Sequence, residues 1–88
     1  MEFRWNERNI DHIGEHGVSP EEAEQIIRMA RSPYPRDIGD EKYRVCGRGR
    51  GGRPLQVIYL VDDDGTIFVI HARPLTDKEK PRWLRTVQ

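Results

Sequence analysis

Apolar residues recur along the chain with two different periods, and the change from one to the other divides it. Up to about residue 31 the period is helical. Ile10 and Ile13 lie three apart, and Ala23, Ile26, Ile27 and Ala30 fall at i, i+3, i+4 and i+7, a single apolar stripe. Local signals bound both segments. Asn6 reads as an N-cap, with Trp5 and Ile10 placed as a hydrophobic staple, and Gly17 offers a left-handed stop after His16. A second helix should start at once, because Ser19-Pro20-Glu21-Glu22 is a capping box around a proline at the first helical position. Ser32-Pro33-Tyr34-Pro35 should end it, since a residue preceding proline is pushed out of helical space.

Elsewhere the period is two. Phe3-Arg4-Trp5 alternates as a short strand would, and residues 36–41 read as a polar connection. Tyr43 and Val45 then point one way, while Arg44, Cys46 and Arg48 point the other, with Arg50 following if the strand runs that far. Gly51-Gly52 marks a turn. Leu55 to Val61 is apolar on both faces, as in a central strand. Asp62-Asp63-Asp64-Gly65 signals a hairpin, and Ile67 to Arg73 completes a meander. Thr76-Asp77-Lys78-Glu79 is another capping box, but Pro81 should break the helix it starts, leaving one kinked turn or a short helix from Pro81. The expected architecture is one α+β domain over residues 1–88. Two N-terminal helices would pack on one face of an antiparallel sheet, made of the short N-terminal strand and the three-stranded meander, with the other face open.

Composition narrows the class. A chain 35% apolar and 34% charged is globular rather than disordered. The longest unbroken apolar run, Val57 to Val61, is far short of the ~20 residues of a membrane helix. The N-terminus carries no apolar stretch of signal-peptide type, and the single Cys46 permits no internal disulfide, so a reducing cytoplasm is expected. The zero net charge conceals an asymmetry: residues 1–41 carry ten acids against five arginines, and residues 42–88 carry five acids against ten bases. Lys42 to Arg53 holds five bases and no acid, and twelve of the fifteen bases are arginine, whose planar fork pairs with phosphate. A solvated basic face and a polyanion site built by the C-terminal half are equally compatible with this pattern.

Several constellations invite chemistry. His12 and His16 have the i, i+4 spacing of a metal pair, but Ile13 stands where a helical metalloprotease motif needs Glu, and His71 would serve as a third ligand only if folding brought it near. No metal and no cofactor are expected. Gly47, Gly49 and Gly52 match a dinucleotide pattern by letter, yet a strand rather than a helix follows, so they read as an arginine loop beside a phosphate or as a plain turn. The three consecutive aspartates lack calcium-loop spacing and read as a solvated turn, and Cys46 as a packed thiol. His71 and Arg73 lie on one face at the end of the last strand, followed by Lys78 and Lys80. An imidazole beside cations suits cleavage of an RNA phosphodiester by its own 2′-OH, in which a base removes the proton and cations stabilise the phosphorane. Spacing alone is equally compatible with a surface arginine and a solvated histidine.

Phe3-x-Trp5-Asn6, Asn9-Ile10-x-His12-Ile13-x-x-His16-Gly17-Val18-Ser19-x-Glu21-Glu22-Ala23, Tyr43 with Gly47-Arg48, Tyr59, and Ile70-x-Ala72-Arg73-x-x-Thr76-x-x-Glu79 together resemble the BrnT family over about residues 3–80. These are ribonuclease toxins of type II toxin–antitoxin systems. The resemblance implies a RelE-like fold, metal-independent cleavage of single-stranded RNA or mRNA, and neutralisation by a ribbon-helix-helix antitoxin of BrnA type, as a dimer or a toxin–antitoxin hetero-oligomer. Trp5, His16, Arg48 and Arg73 match recurring positions. The implied catalytic set is Arg48, Arg73 and His71, with Arg44, Arg50, Arg53, Lys78 and Lys80 binding RNA. A non-catalytic RNA- or antitoxin-binding module of the same fold is the alternative. The chain departs from the family in its neutral charge, in Pro81, and in His71, which is not part of the family motif.

Overall fold

The computed structural model describes residues 1–87. Its elements run α1 (Glu7–Gly14), α2 (Pro20–Arg28), β1 (Arg36–Gly39), β2 (Lys42–Arg48), a 3-10 turn (Arg50–Gly52), β3 (Pro54–Val61), β4 (Ile67–Pro74) and α3 (Glu79–Thr86). The four strands form one antiparallel sheet in sequence order, so the fold is α+β, with helices at both ends of the chain.

The helix boundaries follow from their caps. Asn6 accepts from the Asn9 N–H while the Asn9 side chain accepts from the Asn6 N–H. At the far end of α1, Gly17 adopts φ +72°, and the Val18 N–H reaches back to the Ile13 carbonyl. Ser19 and Glu22 close the second capping box, with Pro20 inside it. Ile13, Ala23, Ile26 and Ile27 then pack against Val45, Leu55, Val57, Val69 and Ala72 in one continuous core. Ala30 lies at its edge, partly buried.

Four expectations are corrected. Ile10 is not a core residue: its side chain is 39% exposed, and the buried position beside Ile13 belongs to Asn9, whose amide donates to the carbonyls of Arg4 and Val69. Holding down the chain entry with hydrogen bonds removes the need for the apolar staple. Phe3 forms only an isolated bridge to Ile67, while Arg36–Gly39, expected as a connection, is the fourth strand. That strand is exposed along its whole length, so no hydrophobic alternation announces it. Pro81 does not prevent a C-terminal helix. Thr76 and Glu79 exchange side-chain-to-backbone bonds in the turn that leads into α3, and Pro81 sits in the first turn of the helix, where an N–H has no intrahelical partner to lose. Finally, the sheet face opposite α1 and α2 is not open. Trp83 of α3 is buried there with Cys46 and Leu75, flanked by Tyr34 and Val87.

Among the described residues no helix is long and apolar enough to cross a membrane.

Candidate functional site

The side chains proposed from sequence are distributed over three places. The first lies where α1 meets β4. His12 lies in α1 and His16 in the turn that follows it. On β4 the register slips, with Ile58 facing His71 and Tyr59 facing Val69, so Ile70 is an extra residue. Such a bulge re-aims neighbouring side chains. The His71 ring lies with its centroid 5.8 Å from those of both His12 and His16. Folding therefore brings His71 of β4 beside His12 and His16, which precede it by 59 and 55 positions. Burial, then the positive charge of Arg73, then the two neighbouring histidines push the His71 pKa below its ordinary value. It is held neutral near pH 7, the form in which an imidazole accepts a proton. Among the described residues no group of three or more ligating side chains is disposed to hold a metal ion.

The second place is the sheet face beneath α3. Arg73 and Arg48 both project from it, on β4 and β2, with β3 between them. Each is engaged by α3. Arg73 donates from Nη1 and Nη2 to the two Glu79 carboxylate oxygens at 2.8 and 3.0 Å, and Nη1 also reaches the Pro74 carbonyl. This fork, with the Thr76 N–H, lowers the Glu79 pKa to about 2. Arg48 lies over the Trp83 ring, 5.2 Å from its centroid, and donates to the Gly52 carbonyl at 2.9 Å. Glu79 and Trp83 are four apart, so one side of α3 makes both contacts. The two arginines share a face, and α3 engages both. Arg44 is on the same face, half-buried.

The third place is the acid-free loop, which hydrogen bonds and an ion pair tie to α2. Glu22, 7% exposed, accepts from the backbone N–H of Arg50 at 2.8 Å, from the Ser19 N–H, and from the Arg53 guanidinium, which also donates to the Gly17 carbonyl. Burial alone would raise the Glu22 pKa, but the Arg50 and Ser19 N–H groups and the Arg53 charge leave it lowered. Gly49 passes so close that a Cβ would stand 2.5 Å from both Glu22 Oε2 and Leu55 Cδ1. Arg53 is thus a latch between the loop and α2. Of the other expected RNA contacts, Arg50 and Lys78 are exposed, and Lys80 pairs with Asp77 at 3.3 Å.

Glu22, Glu79 and Trp83 were not singled out from sequence. The capping boxes contain both glutamates, but a cap says nothing of the distant arginine that the same carboxylate holds. Trp5, matched to a recurring position of the resembled family, donates to Glu24 at 2.8 Å and ties the N-terminal segment to α2, a structural contact. No protein-family model matches the chain, and no curated protein matches it either.

Proposed function

We propose that the chain is an endoribonuclease toxin of the BrnT type, with a RelE-like fold, acting on single-stranded RNA or mRNA in the cytoplasm. A ribbon-helix-helix antitoxin of BrnA type neutralises it. The observation that carries this reading is the His71 cluster. A neutral imidazole, two further imidazoles within 5.8 Å and the Arg73 cation two residues along the strand supply both partners of proton transfer and a charge for the phosphorane. His71 takes the 2′ proton, and His12 or His16 returns one to the leaving oxygen. Arg73, with Nε and one Nη2 hydrogen not used by Glu79 or Pro74, is the cation at the scissile phosphate. Arg48 holds a flanking phosphate.

One feature favours the alternative, a non-catalytic RNA- or antitoxin-binding module. The Glu79 carboxylate neutralises Arg73 in the folded chain. Incubation of the purified chain with single-stranded RNA in the presence of a chelator separates the two. Cleavage to 2′,3′-cyclic phosphate ends, abolished by His71→Asn and by joint Arg48→Ala and Arg73→Ala substitution, is expected, together with relief of growth arrest on expression. Arg48→Lys should also be defective, since a point charge does not reproduce the fork. Retention of RNA without cleavage establishes the binding module. Neither binding nor arrest ends the RNA reading altogether.

A further inference from the structure

Between α3 and the β1–β2 side of the sheet lies a cleft of about 100 Å³ that the histidine cluster does not touch. Its walls carry three arginines from three elements: Arg36 of β1, Arg44 of β2 and Arg82 of α3. Two buried donors on the same walls have no hydrogen-bond partner among the described residues, Nε of Arg44 and the indole Nε1 of Trp83. Trp83 is 93% buried, since 7% of its surface is exposed. Buried donors are nearly always satisfied, so two orphans on one cleft require a partner that accepts. The one carboxylate on these walls, Glu79, is already committed to Arg73 and the Thr76 N–H. Three guanidinium groups around two empty donors repel one another unless negative charge enters.

We infer that this cleft is a binding site for a phosphate group, taken up as the free ion or as the phosphate of a nucleotide. Oxygen acceptors on all sides of a tetrahedral anion can meet the Arg44 Nε–H and the Trp83 indole N–H at once, with Arg36 and Arg82 closing over it from the solvent side. The volume admits one phosphate and leaves a nucleoside outside. The site is independent of RNA cleavage: it requires only α3 in place, and would persist in a chain whose His71 cluster does no chemistry.

Amide and indole NMR on the intact chain reads it directly, because the molecule has two tryptophans and, among the described residues, only the Trp83 indole is unpartnered. Trp5 donates to Glu24. Titration of inorganic phosphate against matched chloride should move the Trp83 indole resonance saturably and leave that of Trp5 in place. Calorimetry should give one site. Arg44→Gln should weaken it at least about tenfold, the loss of a charged hydrogen bond, and Trp83→Phe by about threefold to tenfold with the ring retained. Arg85→Gln, an exposed arginine of α3 outside the cleft, should change affinity by less than about twofold, as bulk charge alone would. Tighter binding of adenosine 5′-monophosphate than of phosphate identifies a nucleotide as the source; equal binding identifies the free ion. An unmoved Trp83 indole overturns the proposal, as does wild-type affinity in both Arg44→Gln and Trp83→Phe, or an equal loss in Arg85→Gln.

Discussion

The two faces of the sheet are made of the same strands yet held by different physics. On one, α1 and α2 lay an apolar stripe over Val45, Leu55, Val57 and Val69, all of them fully buried. On the other, α3 rests on one tryptophan, one leucine and a thiol, and is otherwise fastened by charge: Glu79 to Arg73, and Trp83 beneath Arg48. Hydrophobic burial scales with area and does not depend on pH, whereas a partly exposed ion pair contributes little and only while its carboxylate is ionised. The first face should therefore unfold with the molecule, and the second should be able to open by itself. The candidate chemistry sits on and beside the weaker face, where side chains remain reachable.

Substitutions on the two faces should break in different ways. Ile27→Ala removes a fully packed side chain from the helix-covered core and should cost about 2–5 kcal/mol in denaturant unfolding. A loss under ~0.5 kcal/mol would show that α2 does not pack as described. Trp83→Ala should cost less, below ~2 kcal/mol, although tryptophan is larger, because α3 can detach and cap the penalty at its own docking energy. Equal costs would make α3 part of the cooperative core and erase the contrast.

Acid provides a sharper separation. The Glu79 pKa is lowered to about 2 from 4.5 by the Arg73 fork. A depressed folded-state value contributes stability that is fully present above the unfolded pKa and is lost as pH falls through the folded one. Protection of the α3 amides, taken relative to intrinsic exchange at each pH, should thus fall between about pH 4.5 and about 2, ahead of β3, and Glu79→Gln should show the lower protection already at neutral pH. The smallest effect concerns His71. Its pKa is depressed, mainly by burial, so the unfolded chain binds the proton more readily, and acidification below the ordinary value of 6.5 should lower stability slightly. An NMR titration should find His71 deprotonating below 6.5, and His12→Ala should bring it part of the way back. Full recovery would mean that charge rather than burial is the chief cause.

The N-cap at Asn6, the capping box of α2, the glycine stop at Gly17, the alternation of β2 and the doubly apolar run of β3 were legible in the sequence, because each is decided within a few residues by hydrogen bonds or by the two-residue pleat. The pairing of Arg36–Gly39 was not, since an edge strand exposed on both faces needs no apolar pattern, only a neighbour with free backbone groups. The burial of Asn9 in place of Ile10 was set by two carbonyls supplied by other segments. Three histidines could be counted in advance, but only the bulge at Ile70 and the seat of α1 on β4 make them neighbours. Likewise Arg73 and Arg48 announced themselves as cations, while the decision to cover them with Glu79 and Trp83 belongs to the docking of α3. Local geometry determined the elements of this protein; contacts between groups far apart in the chain, whose strength depends on where folding places them, decided which of its charged side chains work together.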